Sequence, residues 1–353
     1  MICIWTTIIK CCKISIIFEM IKVAINGFGR IGRSVLRTYA EQCTDSIFKI
    51  VAVNAATPSI EDRLYNLKYD SVHGTLQNVV QLDSRVFSIN NCAPIKMLFE
   101  RDIAKLPWKD LGIEVVLECT GSFNDHASAA LHIQNGAKKV IVSAPCKDAD
   151  ATIILGANES ALRKEHAVIS ISSCTTNCLA PIAKILHNGI GIESGFMTTI
   201  HAYTNDQALL DSKHKDKRRS RAAALSIIPS STGAAKSIGL VLPELAGKLD
   251  GAAVRVPVPN VSMIDLTFIS SRETSVHEIN SLVMSASKNI PSILSITDEE
   301  LVSADINHNS SSAVFDLTQT KVVNKTFCRI AAWYDNEWGF ANRMLDIIPL
   351  LSL

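Results

Sequence analysis

One stretch near the start limits the fold more than any other: Ile21-Lys22-Val23-Ala24-Ile25, then Asn26, then Gly27-Phe28-Gly29-Arg30-Ile31-Gly32, then Arg33-Ser34-Val35-Leu36-Arg37-Thr38-Tyr39. A β-rich run leads through a glycine-rich turn into a segment with helical spacing. GxGxxG is weak evidence alone, but strand before and helix after are the context in which it holds a dinucleotide. Gly27 permits the tight turn, Gly29 lets the backbone approach a pyrophosphate, and Gly32 allows helix and strand to pack closely. The helix start then offers unpaired N–H groups to the phosphates.

Strands and helices continue to alternate. Phe48-Lys49-Ile50-Val51-Ala52-Val53 reads as a strand, as do 114–121 and 139–145, and a helical segment at 125–133 stops near Gly136. This alternation predicts a mostly parallel sheet with ligands at the carboxyl ends of its strands. His126 and His132 are expected on the surface of the intervening helix. After the strand 48–53 comes Asn54-Ala55, where an acidic residue would take the ribose 2′-hydroxyl of NAD; Glu61 and Asp62 come too late. Two readings stay open: NAD held by Asn54 and backbone groups, or NADP, whose 2′-phosphate meets no carboxylate.

The second half opens on Val168-Ile169-Ser170-Ile171-Ser172-Ser173-Cys174-Thr175-Thr176-Asn177-Cys178, an apolar strand running into a hydroxyl-rich turn and then a helical segment. Cys174 is therefore expected at a helix N-terminus, which favours a thiolate. A small buried thiol fits the same residues equally well. A strand at 195–200 delivers His201, and an imidazole beside Cys174 could activate it. The basic run Lys213 to Arg221 leads towards Ser230-Ser231-Thr232-Gly233 before a helix, an anion-binding arrangement. Arg255, flanked by Val254 and Val256, is a charge that an apolar strand keeps only for a partner or an anionic ligand. Strands at 261–269 and 326–334, a helix at about 275–288 and a terminal helix from Glu337 to Leu351 complete an α+β second half, the last helix being expected to return to the first domain.

Composition adds bounds. A net charge of +1 over 353 residues gives no global reason to bind nucleic acid or an anionic membrane. Ten cysteines are scattered without a paired framework, so reduced thiols in a cytoplasmic protein are expected. Residues 1–20 are apolar but interrupted by Lys10 and Lys13, and lack the order of a signal peptide; the expected native start is Met20.

Seven blocks in order, INGFGRIGR (25–33), KYDSVHG (68–74), SCTTNC (173–178), HAYTNDQ (201–207), STGAAK (231–236), RVPVPNVS (255–262) and WYDNEWG (333–339), make residues 21–349 closely resemble phosphorylating glyceraldehyde-3-phosphate dehydrogenases. The resemblance implies an α/β protein: a Rossmann-type NAD(P)-binding domain at 21–173, an α+β catalytic domain at 174–336, and a C-terminal helix at 337–353 returning to the first. It implies Cys174 as nucleophile and His201 as its base. Thr204 and Arg255 match the pocket for the substrate's phosphate, with Asp206 orienting the arginine. Ser173, Thr175, Thr232, Gly233 and Arg219 match the pocket for attacking inorganic phosphate. Arg30, Ile31, Ser143 and Asn336 match cofactor contacts, and Arg101 a weaker one near the adenine. The implied partners are glyceraldehyde 3-phosphate, inorganic phosphate and three further copies of the chain in a homotetramer; no metal is implied.

Two departures bear on the cofactor. NAD-preferring members usually carry Asp where this chain has Ala55, and often Leu-Pro where it has Ser212-Lys213, in a loop that approaches a neighbouring subunit's ribose. NADP or dual use is the resulting expectation. Leu106-Pro107-Trp108, 191–195 and 339–346 also look like erythrose-4-phosphate dehydrogenase, the alternative enzyme. A non-catalytic RNA-binding or thiol-sensing protein is the alternative of another class, with Cys178, one helical turn from Cys174, as a conceivable disulfide partner.

Overall fold

A computed structural model describes residues 20–43 and 46–353. The extension expected at the amino terminus lies, apart from Met20, outside the described residues.

The first sheet has nine strands in the spatial order Ala151–Thr152, Val168–Ser170, Lys139–Val142, Val115–Glu118, Ile21–Asn26, Phe48–Asn54, Ile95–Leu98, Val86–Ile89 and Val79–Gln81. All are parallel as far as Ile95–Leu98, and the last two turn antiparallel at the edge. From Ile21–Asn26 the chain moves outward to Phe48–Asn54, and later comes back to the other side at Val115–Glu118. That reversal opens a crevice at the carboxyl ends of the strands. Val115–Glu118 and Lys139–Val142 are buried throughout, as strands covered on both faces must be.

In the second half the sheet order is Ile228–Ser231, Leu249–Val256, Ile192–Ala202, Ser262–Ser270, Phe327–Tyr334, Ala313–Asp316 and Leu294–Thr297, with Lys321–Val323 paired to Phe327–Tyr334. Helices Cys174–Ile190, Ala234–Val241 and Val276–Ser287 share its core. Ser262–Ser270 alternates buried and half-buried positions, the two-residue period of a sheet with one face on that core. The helix Trp338–Asp346 buries Phe340, Ala341, Met344 and Leu345 in the first half's core, against the helix Arg30–Gln42.

Two expectations are corrected. His132 is fully buried rather than on a surface: its Nδ1 accepts from Trp108 Nε1 at 2.9 Å, which leaves Nε2–H to donate to Glu118 at 3.0 Å. The carboxylate at the end of Val115–Glu118 supplies the partner that makes this burial tolerable. The cysteines are also not all reduced. Cys43, closing the first helix, and Cys92, in the turn before Ile95–Leu98, form a disulfide with Cα atoms 5.7 Å apart. Their separation of 49 residues hid the pair, which only the parallel fold brings together.

Candidate active site

Local backbone geometry presents Cys174. The strand Val168–Ser170 gives way to Ser172 at φ +56°, a left-handed conformation that turns the chain sharply. Ser173 then caps the helix Cys174–Ile190, its Oγ accepting from the Thr176 N–H at 3.1 Å. Cys174 is thus the first helical residue, as its sequence context predicts.

His201 lies near the end of the strand Ile192–Ala202, directly opposite Arg255 in the parallel strand Leu249–Val256. This register explains why a charge sits in an apolar strand. His201 Nε2 is 3.6 Å from Cys174 Sγ. Its Nδ1 lies 2.7 Å from the Ala202 carbonyl, which can only accept, so Nδ1 carries the proton and Nε2 offers a lone pair to the thiol. Arg255 Nη1 donates to the same carbonyl at 2.9 Å, and its 3.0 Å approach to Nδ1 is two donors converging on one acceptor. Thr204 Oγ1 lies 3.4 Å from Arg255 Nη1.

The electrostatics favour a neutral pair. Burial, and then the Arg255 charge, hold the imidazole down at about 3. Burial also pushes the Cys174 thiol up, while Arg255 and hydrogen bonds from Thr175 pull against it. The helix start therefore opposes burial without displacing it, and proton transfer to Nε2 is the route to the nucleophile.

Against the expectation that it orients Arg255, Asp206 makes no hydrogen bond or salt bridge to that arginine among the described residues. It pairs with Arg219 and with His214 at 3.5 Å, and these partners hold its carboxyl low against burial. Arg219 also donates to Ser230 Oγ at 2.7 Å and to the Ser231 carbonyl at 3.2 Å, which fixes it beside the start of helix Ala234–Val241. There Thr232 Oγ1 accepts from the Ala234 N–H at 3.2 Å, and a side chain on Gly233 would meet nothing within 4 Å, so this helix start faces open space. Ser173 is half-buried at its cap. Thr175 is buried, its hydroxyl 2.9 Å from Tyr334 Oη.

Tyr334 escaped the sequence reading. Its hydroxyl also meets Thr199 Oγ1 at 2.7 Å, and its ring stands edge-on to His201 at 6.0 Å. Ser262 escaped as well: it accepts from Ala202 N–H at 3.1 Å and donates to Asn336 Oδ1 at 2.9 Å, joining the histidine's strand to the asparagine. Alternation along Phe327–Tyr334 already put Tyr334 on the buried face with Cys328, Ile330 and Ala332.

The cofactor cleft lies at the carboxyl ends of the first sheet, a cavity of about 420 Å³ whose lining includes Gly27, Gly29, Asn54 and Arg101. Its glycines fit a dinucleotide. Gly27 has φ +98°, a Cβ on Gly32 would come within 2.0 Å of the Gly27 carbonyl, and a Cβ on Gly29 would meet nothing within 4 Å. The turn, the packing and the open approach are thus each present. Arg30 is engaged by Asp70 and Glu337, both at 2.5 Å, so with Ile31 it offers a cofactor the backbone of the helix start. Asn54 is buried and bonds Asn26 Oδ1, the Glu100 carbonyl and the Glu100 N–H at 2.8, 2.8 and 3.0 Å, so its amide clamps the strand end. Arg101 is exposed, donating to the Ala56 carbonyl at 3.2 Å. Ser143, Asn336, Ser212 and Lys213 are outside this lining.

Residues 21–126 match the family model described as glyceraldehyde 3-phosphate dehydrogenase, NAD binding domain, and residues 173–336 match that of its C-terminal domain. A glyceraldehyde-3-phosphate dehydrogenase from Xanthobacter flavus is 53% identical over 327 residues, covering 92% of this chain and 97% of its own. One from Cereibacter sphaeroides is 51% identical over the same length and shares. Glyceraldehyde-3-phosphate dehydrogenase 1 of Bacillus subtilis is 48% identical over 334 residues, 94% of this chain and 98% of its own.

Proposed function

The chain belongs to the glyceraldehyde-3-phosphate dehydrogenase family, and from that premise we propose that it oxidises D-glyceraldehyde 3-phosphate to 1,3-bisphosphoglycerate through Cys174 and His201. The observation that carries this reading is the Cys174 thiol 3.6 Å from an imidazole whose proton is fixed on the far nitrogen.

Cys174 sulfur adds to the aldehyde carbon as its proton passes to His201 Nε2 and on to the former carbonyl oxygen, giving a hemithioacetal and leaving Nε2 free again. Thr204 and Arg255 hold the substrate's phosphate, and Arg255 keeps the imidazole in register. His201 Nε2 then takes the hemithioacetal hydroxyl proton as the carbon becomes a thioester. Bound NAD or NADP supplies the hydride acceptor for that oxidation. Ser173, Thr175, Thr232, Gly233 and Arg219 gather inorganic phosphate, whose oxygen attacks the thioester carbon and expels the Cys174 thiolate. Sulfur suits this sequence because a thioester retains oxidation energy that water would discard.

The NAD-binding domain is a property of the family; use of NADP, alone or alongside NAD, is our reading from Ala55, Ser212 and Lys213. A homotetramer, a cytoplasmic setting, and a division of labour among 21–173, 174–336 and the returning helix belong to the same proposal. Among the described residues no helix is long and apolar enough to cross a membrane. The test is a steady-state assay of glyceraldehyde 3-phosphate and erythrose 4-phosphate, each with NAD and NADP, with and without phosphate. Phosphate-dependent turnover of the three-carbon aldehyde is expected; phosphate-independent turnover favouring erythrose 4-phosphate would overturn the reading.

A further inference from the structure

At the adenosine end of the cleft positive charge outruns its partners. Arg33, on helix Arg30–Gln42, and Arg63, on helix Ile60–Lys68, line the same cavity as Ala55. The Nε of each is buried with no hydrogen-bond partner among the described residues. Among the described residues the Arg33 side chain makes one hydrogen bond, Nη1 to the Phe28 carbonyl at 3.2 Å. Neither guanidinium forms a salt bridge among the described residues. Burial, then the charge of Arg30 and, to a smaller extent, that of Arg63 hold the Arg33 guanidinium below its ordinary value against the opposing pull of Asp70 and Glu337, which marks Arg63 as a like-charged neighbour. The carboxylate in the lining is Glu100, whose Oε1 is occupied by the backbone N–H groups of Arg101 and Asp102 at 2.8 and 2.9 Å. Arg101 adds a further charge at the rim.

Two guanidiniums held together in a partly dry corner, with donors unmet, call for a compact dianion that both can fork onto. In a dinucleotide cleft, the group beside the end of the second strand is the adenosine ribose. We propose that Arg33 and Arg63 form the binding site for a 2′-phosphomonoester on that ribose, so that this chain reads NADP with its own residues. The proposal rests on the NADP reading above and locates it: Ala55 removes the competing carboxylate and the arginines supply the attraction. Ser212 and Lys213, which line no part of this chain's own cleft, are then not required.

Calorimetric titration of the full-length protein with 2′,5′-ADP and with ADP tests this without turnover. Wild type should bind 2′,5′-ADP at least about tenfold more tightly, about 1.4 kcal/mol. Arg63→Met and Arg33→Met should each bring the two affinities to within about threefold, and Arg63→Lys should give an intermediate ratio because it keeps charge without the fork. ADP affinity in each variant shows that the cleft still folds. Inorganic phosphate serves as the control for a site open to any phosphate: competition as strong as that of 2′,5′-ADP would overturn the proposal. A wild-type preference that survives both Met variants would overturn it while leaving NADP use standing. No wild-type preference would remove both.

Discussion

The proposed catalytic pocket and the proposed adenosine corner both hold half-buried arginines, and they treat them differently. Arg255 shares the Ala202 carbonyl with His201 and reaches Thr204. Its position follows from strand register, and its neighbours are fixed before any ligand arrives. Arg255 too has an unmet Nε, but Arg33 and Arg63 come from two helices of the first domain, face each other's charge and, among the described residues, have between them a single side-chain hydrogen bond, from Arg33 to the Phe28 carbonyl. The difference is one of preorganisation. Chemistry needs groups held in place in advance, because reorganisation during the reaction raises the barrier. Discrimination between two cofactors can rest on groups that an anion completes, since an unmet donor disfavours whichever ligand fails to supply that anion.

The largest expected effect breaks the pocket and leaves the corner alone. Cys174→Ser should lower kcat/KM by roughly 10⁴-fold, about 5 kcal/mol, because a hydroxyl gives up its proton far less readily than a thiol. Affinity for 2′,5′-ADP, measured in parallel, should stay within about twofold of wild type on the scale where tenfold is 1.4 kcal/mol. Undiminished aldehyde oxidation would sink the catalytic assignment, and a matching loss of nucleotide affinity would show that the two regions are not separable.

Next comes His201→Asn, expected to lower kcat/KM by about 10²- to 10³-fold. The wild-type pH dependence should carry its signature. With the imidazole held down at about 3, His201 stays neutral above pH 5, so no acid limb is expected near its ordinary value of about 6.5. The rate should instead climb with pH as the buried thiol ionises. For stability the sign is that of a depressed group: unfolding lets the imidazole bind a proton, so stability present above about pH 6.5 is lost as pH falls towards 3. His201→Asn should lose less stability over that window in urea melts. A bell-shaped rate profile with an acid limb at 6.5 would contradict the buried, neutral base.

The placement of these two residues was legible in sequence because the chain advertises it: hydroxyls before a helix around Cys174, and a strand running to His201. The glycine turn was legible for the same reason, each glycine answering a separate steric demand. What escaped depends on distance in sequence. Nothing near Asp206 announces that Arg219 and not Arg255 will be its partner, since that depends on how the 204–221 loop folds back. His132 looked like a surface residue because Glu118 and Trp108, which satisfy it, come from other elements. Arg63 sits among Glu61, Asp62 and Tyr65, an ordinary exposed helix face until the fold places Arg63 itself in the lining of the cleft. Cys43 and Cys92 belong to the same class.

Tyr334→Phe sharpens the comparison from within the pocket. The hydroxyl joins Thr175, behind the nucleophile, to Thr199, on the histidine's strand. Removing it leaves two buried hydroxyls short of a partner, which should destabilise the protein by about 1–3 kcal/mol. A fall of a few degrees in Tm, with a loss in kcat smaller than that of His201→Asn, is the expected result. An unchanged Tm would mean that the pocket's order does not rest on this bridge.

The smallest effect is expected in the corner, and its sign is the point. Arg63→Met removes a charge that repels Arg33 and has no salt bridge of its own among the described residues, while keeping an apolar stem to pack. Ligand-free protein should therefore gain about 0.5 kcal/mol, seen as a slightly higher Tm in low salt. The gain should shrink in 0.5 M salt, about where the screening length falls to a few ångströms. Arg255→Met, in the pocket, should move Tm the other way, because it takes from Ala202 and Thr204 a donor they already use. Binding of 2′,5′-ADP should reverse the order for Arg63, since the ligand stabilises wild type and has lost its fork in the variant. If Arg63→Met lowered the ligand-free Tm as Arg255→Met does, the corner would be a packed structural element like the pocket, and the contrast between a preformed centre and one completed by its anion would fail.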